Sequence, residues 1–533
     1  MKQRLTQRRL YGERGTGVPQ TSSRPDRRRR RKGAALIITL IALLLLFIFG
    51  MLSLRLATNN VLTARRQSRL AQSLNLAEAG ADMAEAYLRS LSYPPELDED
   101  EYIDYPIDGS EVSLNPGSCG ARIYGVEGNS GAWLKSYVII ATGRNRVNGA
   151  TRQVIVRVRQ TSFALYSYFT DQERWSVNGE TIWFYARDRV YGPVHTNDQF
   201  HISWGHTSAD PIFYDTVSSV AESVEWGASG APVTTQDWRR VLDGGQQALT
   251  LGVSRIPLPL SSDIQRNTAW GSDFGFPSSN GIYLPSSGSL LTAGIYIRGD
   301  CTIDFSVESS TGNQVITIVR GSTTRTITID RANNQTRVRR GSTTDYYVGT
   351  PNGVIYCTGN ITSLEGTLAN NYEDGSQILE RNAWTVVADV ATGKDITITD
   401  DLEYRTPPDS TKPPTHNSNL RAATLGLVAE DVALSTGCPN EMNLDAVILA
   451  GGENTANGTF YYTGWASQKR NNLNVLGGII QKRRGPVGTF NPYNNVQVSG
   501  YNKNYRYDGR MVDHPPPFFP STGGYDVLSW QYR

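Results

Sequence analysis

From Ala34 to Leu54 every position is apolar or small, and no charge interrupts the run. A helix of that length reaches about 31 Å, enough to span the hydrocarbon of a bilayer. Beyond it Leu56, Val61, Leu62, Leu70, Leu74, Leu76, Ala77, Ala81, Ala84 and Leu88 recur at steps of three and four. That spacing predicts that the helix continues with one apolar face. Between Arg55 and Tyr93-Pro94-Pro95 no breaker stands except Gly80, so the pattern predicts a single rod over residues 34–91, about 87 Å long. Only its first half is apolar all round.

After the prolines the period changes. Tyr137–Ala141 and Val154–Arg159 alternate and are joined across Asn145–Gly149, which predicts an antiparallel hairpin in a small sheet ending near Gln160. Residues 161–280 are aromatic and loop-rich, with weak periodicity. From 281 to 490 short β-favouring runs recur, among them Gly294–Ile297, Gly353–Tyr356, Thr385–Ala388, Ile396–Ile398, Leu425–Val428, Ala446–Leu449 and Val475–Ile480. No helix-length amphipathic segment separates them, so helices cannot connect parallel strands in the usual way. Stacked coils joined by loops would, and the expected fold is α+β: a long N-terminal helix with a small antiparallel sheet, then an irregular parallel β-solenoid. An antiparallel sandwich is the alternative. Residues 491–533, rich in Tyr and Pro, are expected to pack on this body.

Charge sets the direction of the helix. Arg27–Arg31 and Lys32 precede the run and only Arg55 follows closely, which predicts a cytoplasmic N-terminus and an extracytoplasmic body. The net charge of +2 conceals this asymmetry: without the basic leader the remainder is mildly acidic. A nucleic-acid-binding charge over the whole molecule is thereby excluded. Cys119, Cys301, Cys357 and Cys438 form no C-x-x-C pair, which argues against a zinc site. Outside the membrane a disulfide within the group Cys301, Cys357 and Cys438 is open, as are buried free thiols.

Arg31-Lys32-Gly33-Ala34 followed by the apolar run and the continuing helix resembles the leader and first helix of type IV prepilins. The resemblance implies cleavage by a prepilin peptidase between Gly33 and Ala34, after which the helix leaves the inner membrane for a filament. Ile38 stands at the fifth mature position, where that family usually has glutamate; PilX-type subunits and K-type pseudopilins of type II secretion can lack it. Gln72–Gly80, containing Leu76-Ala77-Glu78-Ala79-Gly80, resembles the "LAEAG" segment of the PilX N-terminal family. These likenesses imply a minor, tip-located structural subunit whose partners are other pilin or pseudopilin subunits. Gly192–Asn197, Leu425–Ala429 and Gly500 through Tyr505–Arg510 to Pro515–Pro520 resemble a domain fused to such N-termini in bacterial envelope proteins. Large competence pilins with an inserted β-solenoid share this plan.

Candidate chemistry is sparse. His195, His201 and His206, with Asp198 and Asp210 nearby, have metal-compatible side chains, but their spacing matches no helical ligand pair and turn or hydrogen-bonding roles explain them as well. Asp395, Asp400, Asp401 and Glu403 could serve a polysaccharide-cleaving solenoid; acidic residues at solvated corners are the plainer account. No phosphate-binding glycine loop or G-x-S-x-G elbow is present. The expectation is a non-enzyme without a cofactor. Arg320-Gly321-Ser322-Thr323-Thr324 recurs as Arg340-Gly341-Ser342-Thr343-Thr344, and Arg320, Arg325, Arg331, Arg337, Arg339 and Arg340 have Asp330 as the single acid between the two repeats. A projecting basic hairpin over 315–346 is expected, able to contact DNA or an acidic surface polysaccharide, or simply to protect a sheet edge by charge. A surface-binding module on a plain signal anchor is therefore the alternative function.

Overall fold

The computed structural model describes residues 32–533 apart from 92–93, 130–132, 148, 176–178, 186–187, 206–209, 375–376 and 492–495. The leader through Arg31 lies outside the described residues. Helix α1, Lys32–Ser90, is continuous, as its spacing predicts. From Leu36 to Leu62 its large apolar side chains are exposed; Leu76, Ala77, Ala81, Ala84 and Leu88 are buried. It is the one described helix long and apolar enough to cross a membrane.

The buried half of α1 lies on an antiparallel sheet. Its strands run Tyr102–Tyr105, Gly117–Tyr124, Ser136–Asn145, Thr151–Ser162 and then Ser521–Tyr532, with Val112–Leu114 beside the second. Small residues permit the close approach: Ala77, Ala81 and Ala84 are buried against Ala121, Ile139 and Val156. The "LAEAG" segment is thus a helix-to-sheet contact. A Cβ on Gly80 would lie 3.3 Å from the Cβ of Cys119. The last strand comes from the far end of the chain. The tail expected to pack on the large β body therefore divides, with Gln497–Arg506 in the large sheet and Ser521–Tyr532 in the small one.

The large β region is built on parallel ladders. One inward-facing column passes through Ile295, Ile355, Val386, Leu427, Ile448, Ile479, Tyr168, Val194 and Val217. The adjacent outward column passes through Tyr296, Tyr356, Val387, Val428, Leu449, Ile480, Phe169, His195 and Ser218 in the same order. The ladder thus leaves Ile480 and resumes at Phe169. The boundary drawn at residue 280 does not follow the hydrogen bonding, because Tyr168–Gln172, Val194–Thr196 and Val217–Ser219 extend the ladder that begins at Ile295–Arg298.

Both faces of this ladder are covered. The inward residues share one core, whereas Tyr296, Tyr356, Val387, Val428, Leu449 and Ile480 meet Met511 and Phe519 from the C-terminal crossing and Ala269 from the helix Asp263–Trp270. Burial on both sides explains why these strands read as apolar runs rather than alternations. Parallel pairing also removes the antiparallel sandwich. Antiparallel structure in this region is chiefly the insertion Gln314–Arg320, Thr323–Asp330, Gln335–Arg340 and Thr343–Val348, which adds to the strand Cys301–Val307.

Candidate functional site

Three fragments distant in sequence meet at one place. Gly192, at φ +94°, lies under Tyr507, and a Cβ there would come within 2.5 Å of the ring. Asp508 and Arg510 form a buried ion pair at 2.5 Å. The Arg510 guanidinium also donates to the carbonyls of Ala422 at 2.6 Å and Ala423 at 3.0 Å, and lies 5.4 Å from the Tyr404 ring centre. This planar fork has its donors fully engaged, a geometry lysine cannot supply. The segments resembling the fused envelope domain are thereby joints of the structure: they pin the C-terminal crossing to the ladder. Phe519 packs against Gly426 in the same way, and Thr385 donates to the Pro517 carbonyl.

Beside this joint opens a cleft of about 650 Å³. Its floor comes from outward positions of adjacent parallel strands. Asn504 donates to Asn474 at 2.7 Å, and Asn474 to Asn443 at 3.1 Å, forming an amide ladder. One position pair along, Asp445, Leu476 and Arg506 align. The loop Pro407–Pro414 forms a wall and is held by buried Asn419, which accepts from the Asp409 N–H at 2.7 Å and donates to the Asp409 carbonyl at 3.0 Å. Tyr191 stands at the rim, stacked on Tyr214 with ring centres 4.4 Å apart and planes 4° apart. Asp445 accepts from the Tyr404 N–H at 2.9 Å, and burial pushes its carboxyl up to about 7.

The residues singled out from sequence fall elsewhere. His195 belongs to the outward column, stacked on Phe169 at 5.1 Å, with Nδ1 2.9 Å from Ser218 Oγ and Nε2 3.1 Å from Asn197 Oδ1. Burial lowers its pKa, so it serves as a neutral hydrogen-bonding step of the ladder. His201 pairs with Glu225 at 3.0 Å. His206 lies outside the described residues. No group of three His, Cys, Asp or Glu suited to a metal occurs among the described residues.

The arginines also separate. Arg331 meets Glu380 at 3.4 Å, Arg337 meets Glu308 at 2.9 Å, and Arg340 meets Asp345 at 2.9 Å. Asp330 instead binds Asn333, so distance in sequence misidentified the acids that matter. Arg320 donates to the Arg298 carbonyl, Arg325 to that of Thr324 and Arg339 to that of Gly341. Strand alternation sets Arg337 and Arg339 on the opposite face from Arg340. The repeated R-G-S-T-T segments are two hairpin turns: Arg320 pairs with Thr323 and Arg340 with Thr343, with Gly321 at φ +55° and Gly341 at φ +60°. Glycine at the first of two turn residues is the type II′ requirement.

The acidic group is spread along its strand. Asp401 accepts from the Asn443 N–H, Asp400 from the Asp401 N–H, and Asp395, at the other strand end, from the Asp431 N–H. Asp395 belongs to a corner series in which Asn360 donates to Asp300, Asp395 to Asn360 and Thr459 to Asp431 through their backbone N–H groups. Asp395 precedes the strand Ile396–Tyr404 and Glu403 lies near its far end, so the strand separates the two carboxylates along its length. The four cysteines are buried free thiols. Cys301 and Cys357 come within 3.6 Å, while burial pushes the Cys438 thiol up to about 11.

Sequence reasoning missed Asn443, Asn474, Asn504, Asp445 and Tyr191. Asn443 and Asn474 sit at the same offset from a buried apolar run, which was the available signal, whereas Asn504 is followed by Tyr505-Arg506-Tyr507-Asp508 and has no such run. Residues 132–221 match a family described as a domain of unknown function, DUF4900. That segment covers the Ser136–Ser162 hairpin and the ladder strands as far as Ser219. No curated protein and no solved structure matches the chain.

Proposed function

We propose that the chain is a minor, tip-located pilin-like structural subunit, anchored by α1 in the inner membrane before assembly, with its β body on the extracytoplasmic side. One observation carries this reading: a single unbroken helix is bare and apolar over its first half, yet sealed onto an antiparallel sheet over its second. A plain anchor needs no such continuity. A helix that must pass from lipid into a bundle of like helices needs a span exposed on all sides and a body fixed rigidly to its end. Ile38 is exposed on the bare half, so the register a buried carboxylate would impose there is relaxed, as suits a terminal subunit.

In the same reading the parallel ladders wind as coils of an irregular β-solenoid, with the insertion Gln314–Val348 projecting from one coil. Continuous ladder hydrogen bonding through Ile295–Ile480 and on to Ser218 supports this arrangement. The test is the mass of the mature chain from cells with and without prepilin peptidase. A chain starting at Ala34 only when the peptidase is present is the expected result. An unprocessed N-terminus in cells with active peptidase would reduce the protein to a signal-anchored module.

A further inference from the structure

The cleft over the asparagine ladder has the chemistry of a carbohydrate site. We propose that it binds a neutral polysaccharide, with Tyr191 as the platform for a pyranose ring and Asn474 and Asn504 as partners for its hydroxyls. The proposal supplies a ligand class for the extracytoplasmic β body and rests on that placement for its biological meaning.

Three features favour this ligand. The first is the rim: Tyr191 and Tyr214 are stacked in parallel, yet remain 39% and 38% exposed. A rigid, wet aromatic face is suited to the apolar face of a sugar while its hydroxyl reaches water. The second is the floor. Asn474 and Asn504 lie side by side at the spacing of adjacent strands, about 4.8 Å: Asn474 donates to Asn443 at 3.1 Å and to Glu441 at 3.0 Å and accepts from Asn504, so one Asn504 N–H, the Asn504 Oδ1 and a lone pair of the Asn474 carbonyl are what a hydroxyl would meet. Such a row matches a polymer with repeated hydroxyls better than a single small metabolite. The third is preorganisation, because buried Asn419 clamps Pro407–Pro414 from both sides and the wall needs no ordering on binding.

Charge selects against polyanions. Asp215, Asp409 and Asp445 line the cleft, Lys412 is engaged by Asp409 at 3.4 Å, and Arg510 by Asp508. Among the described residues Arg506 is the lining cation outside any ion pair. With those pairs closed, Asp215 offsets Arg506 and buried Asp445 holds its proton up to about pH 7, so the cleft carries little net charge and offers DNA or a polyuronate no basic surface.

The experiment uses the full chain in detergent micelles, titrated calorimetrically with hexasaccharides of β-1,4-glucose, β-1,4-N-acetylglucosamine, β-1,4-mannose and α-1,4-glucose. Polygalacturonate and a short DNA duplex serve as polyanion probes. Saturable binding of at least one neutral hexasaccharide is expected, weakened about tenfold or more in Tyr191→Ala and in Asn504→Ala and unchanged in Arg339→Ala on the distant hairpin. Tyr191 is a surface residue, so its variant should melt with the parent, and matched melting curves separate lost binding from lost fold. Absence of binding across the neutral panel overturns the proposal. So does binding that ignores both substitutions, or a preference for either polyanion. Orientation in the membrane is read separately, by protease access to the body in intact spheroplasts, so failure of the anchor reading and failure of the site give different results.

Discussion

Asp445 shows how one side chain can couple the joint to pH. Burial raises its pKa to about 7, and the charges of Glu403 and Asp508 add to the effect. An unfolded aspartate titrates near 3.9, so above that value the unfolded chain has released a proton that the folded chain still holds. The stability contributed by this site is therefore complete below about pH 4 and is lost as pH rises through about 7. Asp445→Asn retains an acceptor for the Tyr404 N–H and cannot ionise. Denaturant titrations should find the variant close to the parent at pH 4 and more stable at pH 8, by about 2–4 kcal/mol if the whole shift is realised. A gap of equal size at both pH values would mean that ionisation of Asp445 is not the cause. Arg510 supplies the contrast: its charge is matched by Asp508 at 2.5 Å and by three carbonyls, so burial is compensated rather than costly.

Among the elements, α1 was readable almost to the residue, because composition and period agree over its whole length and Pro94-Pro95 can only end it. The hairpin Ser136–Ser162 was readable for the same reason: one face is buried, so alternation survives in the sequence. The ladder strands gave up their existence but not their partners. Covered on both faces, Ala383–Ala388 and Thr424–Ala429 carry no alternation, and the unequal intervals from Ile355 to Val386, Leu427 and Ile448 conceal the repeat. The candidate site was illegible because its floor is made of outward positions, where the local pattern says only that polar residues face solvent. The arginine insertion teaches the reverse lesson. It looked like a binding element because two of the three acids that neutralise it, Glu308 and Glu380, come from outside the segment 315–346, and the third, Asp345, lies beyond the second R-G-S-T-T repeat. With Arg331, Arg337 and Arg340 paired, three arginines are left to displace counterions. Replacing all six arginines by alanine should therefore flatten the log–log salt slope for DNA binding by the full chain by no more than about 3. A change twice as large would require the paired arginines to exchange their carboxylates for phosphates.

On the scale of the whole molecule, the ladder order matters most, since it makes both ends of the β region depend on a junction between Gln481 and Thr170. Apolar stacking would tolerate other orders, and the junction is specified by charge. Glu173 and Arg484 pair at 3.0 Å with side-chain exposures of 0% and 4%, and the guanidinium lies 3.8 Å over the Phe184 ring centre. Lys503 and Asp188 add a second pair at 3.1 Å across the same junction. Removing one partner of a buried pair strands the other charge, at a cost of about 3–5 kcal/mol. Arg484→Met should therefore lower stability by that order. Hydrogen exchange should locate the loss in the strands Tyr168–Gln172, Val194–Thr196 and Val217–Ser219 before it reaches Ile295–Arg298 and Val354–Cys357, which lie at the other end of the ladder. Adding Glu173→Gln to Arg484→Met should recover part of the stability, because the stranded carboxylate is gone. If protection fell uniformly, or if the double variant were no better than the single one, the ion pair would not be what closes the ladder. The apolar column through Ile479 and Tyr168 would then have to carry the junction alone.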